Sequence, residues 1–228
     1  MGVDRRSLAR RERVALVETM RDTGPDAPTL CEGWTARDLA AHLVVREARP
    51  DAAAGVVLPA LSTRLETLRL RESERPWEEL LDSIASGPPW YSPLRLADSL
   101  ANTAEYLVHH EDVRRAGEGW SKREFDSRDL ARVWTLATIV SRSRLRKVPA
   151  RIDLSVPRGP STPRPGVDAR AATAAAPVST GAALAPLVTV VAEPVELLLW
   201  IFGRDRVDVE VSGAQRGIDA LEEVGRSV

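Results

Sequence analysis

From Ser7 to about Leu145 the apolar residues of this chain return every three or four positions. A chain patterned in this way buries its apolar stripes by packing helix against helix. Ser7–Met20 carries Leu8, Val14, Ala15, Leu16 and Val17 among charges, the pattern of an amphipathic surface helix. Asp22–Pro28, rich in Gly, Pro and Asp, breaks it. The stretch LCEGWTARDLAAHLVVREA starts again: Thr35 is a good N-cap, Asp38 follows three residues later as in a capping box, and Leu39, His42, Leu43 and Arg46 recur at helical spacing. Further helices are expected at Val56–Leu70 and at Pro76–Ile84, the latter opened by proline in its first turn. After the loop GPPWYSP come a long helix from about Leu94 to Ala116 and another over Ser127–Leu145, with Leu130, Val133, Trp134, Ala137 and Val140 in register.

Near Val148 the period changes. ARIDLSVPRG alternates like a strand, Leu187–Val191 is rich in β-branched residues, and Val207–Val211 alternates again. RGPSTPRPG reads as a loop, and Ala171–Ala176 is alanine-rich but too short to imply disorder. EPVELLLWIFGR has proline at its start and Gly203 as its stop, so a helix is expected at Val195–Phe202; GIDALEEV closes as a short helix. The expected architecture is mainly α: a helical bundle over residues 1–147 and a small α+β domain over residues 148–228, without internal repeats.

Charge and composition exclude several classes of function. The formal net charge is −1, so broad electrostatic attraction to nucleic acid or anionic membrane is not expected. The longest apolar stretch, Val195–Phe202, is too short to cross a bilayer. The charged start MGVDRRSLARRERVAL lacks the apolar core and cleavage site of a signal peptide, so a cytoplasmic protein is expected. One cysteine, Cys31, rules out an intramolecular disulfide and a cysteine-rich zinc site.

The chain has only 3 histidines, His42, His109 and His110, and all fall in two helical segments. Residues four apart share a helix face, so Glu105 and His109 can grip one ion together. His42 sits on another helix at an inward position beside Leu39 and Leu43. Two imidazoles and one carboxylate form the open three-ligand pattern of catalytic zinc and of other borderline divalent ions. Facing helices of a bundle commonly supply such ligands. The blander alternative is an exposed Glu-x-x-x-His pair and a hydrogen-bonded core histidine; the concentration of all the histidines beside apolar neighbours argues against it. Zinc is the expected metal, with nickel or another first-row ion as alternatives.

GWTARDLAAHL followed by AEYLVHHEDVRRAG resembles the mycothiol-dependent maleylpyruvate isomerase-like group of the DinB superfamily. The group's Gly-Trp-Thr-x-x-Asp-Leu-x-x-His segment is matched by Gly33, Trp34, Thr35, Asp38, Leu39 and His42, and its Glu-x-x-x-His helix by Glu105 and His109. EPVELLLWIFGR is similar to a stretch of the small domain that often follows. The resemblance implies a DinB-like up-and-down four-helix bundle with His42, Glu105 and His109 as its metal triad. It also implies a small-molecule thiol, mycothiol, as partner, together with an electrophilic substrate. The resemblance extends to an actinobacterial subgroup described only as metal-binding, so the specific chemistry does not transfer.

The remaining candidates stand around the triad. His110 leaves the helix about 100° from His109 and is expected to be a neighbour rather than a ligand. Asp112, three residues past His109, can orient its imidazole or belong to a solvated helix end. Trp34 is read as packing at the entry to its helix, and Cys31 as an inert, half-buried thiol. Arg204 either reaches an anionic substrate or caps the helix that ends at Gly203. No phosphate-binding glycine loop and no Ser-His-Asp set is recognisable. Three functions follow: a metal-assisted, thiol-dependent transferase or isomerase; a non-catalytic metal sensor or store; and a helical interaction module in which these residues are structural. A homodimer is compatible with each.

Overall fold

The structure is a computed structural model, and it describes residues 7–48, 62–90, 92, 100–157, 178–180 and 185–225. The protein is mainly helical with one small sheet, as expected. It divides into two compact units, Met1–Lys122 and Arg123–Val228. The division falls earlier in the chain than residue 147, the boundary the periodicity suggested.

In the first unit, helix α1 spans Leu8–Thr23. Ser7 caps it through a bond from the Arg10 N–H to its Oγ, 3.4 Å, and Gly24 ends it at φ +85°, a conformation glycine adopts without a Cβ penalty. Helix α2 spans Ala36–Ala48. Its start is the capping box read from the sequence: the Asp38 N–H donates to Thr35 Oγ1 at 3.3 Å, and the Thr35 N–H donates to Asp38 Oδ2 at 3.0 Å. Helix α3 covers Ser62–Ser73, α4 Trp77–Ser86 and α5 Leu100–Arg114. The starts expected at Val56 and Leu94 lie outside the described residues. α1 packs on α5 and α4, and α2 on α3 and α4. Leu16, Met20, Leu39, Leu43, Leu80 and Tyr106 meet in the shared core, all fully buried. Each fully buried Leu or Met there contributes about 1.5–3 kcal/mol of transfer free energy.

The face α1 turns inward differs from the face its apolar residues suggest. Val14 and Ala15 are half-buried, while Glu12 and Arg13 are buried. Both charges are buried with partners. Arg13 forms a two-pronged bond to Glu47, 3.0 and 2.5 Å, and donates to the Ile84 carbonyl at 3.1 Å, while the Tyr106 hydroxyl donates to Glu47 at 2.6 Å. Burial, followed by the Glu47 charge, holds the Tyr106 phenol well above its ordinary value, so it remains a donor.

In the second unit, α6 spans Ser127–Arg144, capped by Asp126 accepting from the Asp129 N–H at 2.8 Å, and continues as a 3-10 turn over Leu145–Lys147. The sequence grouped this helix with the bundle; instead it packs against α7, Pro194–Ile201. The reason is physical. Val195, Leu197, Leu198, Leu199 and Ile201 are buried on several sides of α7, and Glu196 is buried with them, its carboxylate accepting from the Asp208 N–H at 2.9 Å, so this short helix needs cover around most of its girth. Strands β1 (Arg151–Ser155), β2 (Val178–Thr180), β3 (Leu187–Val191) and β4 (Glu210–Gly213) form a sheet ordered β2-β1-β3-β4. β1 and β3 are parallel, with Ile152 opposite Val188 and Leu154 opposite Val190, all fully buried. The outer pairs are antiparallel. β4 begins at Glu210, three residues after the expected start, because the chain turns at Val207, whose N–H bonds the Asp205 carbonyl at 3.0 Å. The expected loop over RGPSTPRPG and the alanine run Ala171–Ala176 lie outside the described residues. Helix α8, Gln215–Gly225, packs on β3 and β4. Among the described residues no helix is long and apolar enough to cross a membrane.

Candidate metal centre

α5 is a core helix. From Asn102 to Arg114 its residues are buried except Glu105, His109 and Arg114. The four-residue spacing of Glu105 and His109 puts both on one strip of the helix, and that strip reaches solvent. α2 supplies His42 to the same strip. The side chains of His42, Glu105 and His109 are 21%, 19% and 13% exposed.

The geometry converges on one oxygen. Glu105 Oε1 lies 3.2 Å from His42 Nε2 and 3.3 Å from His109 Nε2. One ligand atom from each residue lies within 4.8 Å of the others. Bonds of 2.0–2.1 Å at a tetrahedral ion require ligand atoms about 3.3–3.4 Å apart. The two carboxylate–imidazole spacings match that separation, and two imidazoles with one carboxylate are a donor set that suits a divalent ion. The two imidazoles meet edge to face, with ring centroids 5.6 Å apart.

Each of the three candidate residues has a support. His109 Nδ1 lies 2.8 Å from Asp112 Oδ2, and Asp112 is fully buried. A carboxylate only accepts, so the Nδ1 hydrogen is held there and Nε2 is turned toward Glu105 and His42. Burial works against a charged His109, but hydrogen bonds with Asp112, then Cys31 and Glu105, outweigh it and hold the imidazole well above its ordinary value. A proton and a metal ion thus compete for Nε2. Burial likewise pushes the Glu105 carboxyl up, but the bonds from His109 and His42 and the charges of His109 and Arg46 hold it well below the usual carboxylate range. It is an anion across the physiological range. The His42 ring rests against Trp34, centroids 5.2 Å apart, and Arg69 lies over Trp34 at 5.0 Å. Arg69 is itself bonded to Asp38 and Glu66.

Cys31 joins this shell. The Leu30 N–H donates to the Asp112 carbonyl at 3.0 Å, docking the loop before α2 on the end of α5. That places Cys31 Sγ 3.2 Å from Asp112 Oδ2 and 3.9 Å from His109 Nδ1. Cys31, His109 and Asp112 form a second grouping of metal-ligating atoms, but it uses the opposite nitrogen of the same histidine. No spacing along the chain signals this contact, which depends on how the loop docks.

The other candidates separate. His110 points to α1, with Nδ1 2.9 Å from Glu12 Oε2 and Nε2 3.0 Å from Thr19 Oγ1, so it is not part of the triad's cluster. Asp112 is the partner of His109, and Arg114 pairs with Glu111 at 3.0 Å. Arg204 belongs to the other unit and donates to the Phe202 carbonyl at 2.7 Å, capping the end of α7. Arg46, whose helical spacing from His42 was visible in the sequence, contacts Glu105 with Nε 3.3 Å from Oε2.

Residues 7–87 match the family model described as Mycothiol maleylpyruvate isomerase N-terminal domain. Over that segment the expected family is borne out. The match contains Gly33–His42 and ends before Glu105 and His109, so the second half of the triad rests on geometry. No curated protein and no solved structure matches the chain.

Proposed function

With residues 7–87 carrying this family's N-terminal domain as the premise, we propose that His42, Glu105 and His109 hold one divalent ion, zinc in the first place. We propose further that the protein is a metal-assisted, thiol-dependent transferase or isomerase acting on a small electrophile, with mycothiol as the thiol. The first unit is read as a DinB-like bundle built on α1, α2 and α5 with the α3–α4 segment. The observation that carries this reading is the convergence of two imidazole Nε2 atoms on a single carboxylate oxygen, at 3.2 and 3.3 Å, on a solvent-reaching strip of a core helix.

A bound divalent ion would supply Lewis acidity, stabilising a thiolate or hydroxide at neutral pH. The chain's residues prepare its place. Asp112 holds the Nδ1 hydrogen of His109 and fixes the ring. Glu105 stays ionised and contributes one negative charge. Trp34 limits rotation of His42 and walls one side of the strip. Partial exposure of all three ligands admits a small thiol while the buried shell behind them excludes water.

The test is metal content. Purified wild-type protein should hold one zinc per chain by plasma emission, and His42→Ala, Glu105→Ala and His109→Ala should each lose it, because two ligands are too few to compete with water. Retention of stoichiometric metal in all three variants would refute the site. Mycothiol consumption with model electrophiles then separates an enzyme from a non-catalytic sensor or store: the loaded protein turns over in the first case and is inert in the second.

A further inference from the structure

The triad leaves one carboxylate oxygen unused, and the chain occupies it. On α2, Arg46 follows His42 by four residues and shares its face; on α5, Asn102 precedes Glu105 by three and His109 follows by four. The two strips meet in order. His42 faces Glu105 Oε1 at 3.2 Å, and Arg46 Nε faces Glu105 Oε2 at 3.3 Å. Arg46 Nη1 also donates to Asn102 Oδ1 at 3.2 Å, and Asn102 is buried. A planar guanidinium held at two of its nitrogens has a fixed orientation, and the Arg46 side chain is 16% exposed.

We propose that Arg46 is a positioning residue that keeps Glu105 a one-oxygen ligand and so keeps a coordination position free for an external thiol. This rests on the metal reading above. A carboxylate can bind a cation through one oxygen or both. With Oε2 engaged by Arg46, only Oε1 remains for the ion shared with the imidazoles. Arg46 does not hold the ion; its positive charge opposes cation binding while offsetting the charge of Glu105. The centre thereby stays net positive and favours an anionic fourth ligand such as a thiolate. Nothing in the sequence pattern around Arg46 separates this role from that of any exposed helix arginine; the pairing across two helices does.

The experiment compares wild type, Arg46→Met and Arg46→Lys after loading with cobalt(II), whose visible absorption is strong in four-coordinate and weak in five-coordinate sites. Wild type should bind one cobalt, absorb strongly, and shift its spectrum on titration with 2-mercaptoethanol. Arg46→Met should still bind one cobalt, at least as tightly, but with weakened absorption as Glu105 turns both oxygens to the ion. Its thiol titration should be about tenfold weaker, the lower end of what outer-shell changes produce. Arg46→Lys, which retains a cation for Oε2, should recover most of the wild-type spectrum. An Arg46→Met protein that keeps the wild-type spectrum and thiol response overturns the proposal. So does one that folds, by circular dichroism, but no longer binds cobalt while Arg46→Lys does. If wild type itself binds no cobalt, the metal reading fails and this inference falls with it, a result distinct from either of these.

Discussion

Asp112→Asn isolates the support behind His109 without altering a ligand. In the folded protein Asp112 Oδ2 sits 2.8 Å from His109 Nδ1 and 3.2 Å from Cys31 Sγ, and the residue has no exposure. Asparagine keeps the shape and one acceptor oxygen but loses the charge. A hydrogen bond to a charged group is worth about 1.5–3 kcal/mol and a neutral one about 0.5–1.5 kcal/mol, so the substitution removes about 1–1.5 kcal/mol of orientation. Outer-shell substitutions at metal sites cost about 10–100-fold in affinity, or about 1.4–2.8 kcal/mol, and the two routes meet at the lower end. The expected result is a zinc dissociation constant raised about tenfold or somewhat more, with stoichiometry unchanged. Competition against a chromophoric chelator at fixed pH measures it, and the melting temperature of metal-stripped protein controls for the fold. An affinity within a factor of about two of wild type, well inside the tenfold floor, would show that Asp112 does not orient the ligand and that the His109 assignment needs another support.

His110→Ala should keep its metal, because that ring faces Glu12 and Thr19, but should be destabilised by about 1–3 kcal/mol in urea unfolding, since the buried Glu12 loses its hydrogen bond to the ring; loss of metal at unchanged stability would reverse the assignment. Thr35→Ala should cost about 1 kcal/mol by the same assay through loss of the α2 cap, and a change within error would show the cap to be redundant. For Asp38, burial pushes the carboxyl up, but the bonds from Thr35 and the Arg69 charge outweigh it and hold it below its ordinary value. A depressed carboxyl adds stability above its unfolded value of 3.8 and loses it as pH falls through the lower folded value. Asp38→Asn should therefore flatten the acid limb of stability against pH, and an unchanged limb would refute the linkage.

The period of the apolar residues was enough to place α1, α2, α4 and α6, because amphipathic helices write their buried face at three- and four-residue spacing, while Pro194 and Gly203 bounded α7. Thr35 and Asp38 were legible as a cap for a similar reason: both partners lie within one turn. The same local logic linked Glu105 to His109. β2 was not legible, since three residues carry too little alternation to register. Nor was the burial of Glu12 and Arg13, whose partners His110 and Glu47 lie 98 and 34 residues away. The unit division falls before α6, which packs on α7; a single apolar stripe on α6 does not say which partner covers it. At the site the sequence alone supplied the three ligand types and their helices. Tertiary structure alone brought Arg46 to the second oxygen of Glu105 and Cys31 to Asp112. Those contacts cross between helices and loops, where distance depends on how whole elements dock and no spacing along the chain records it.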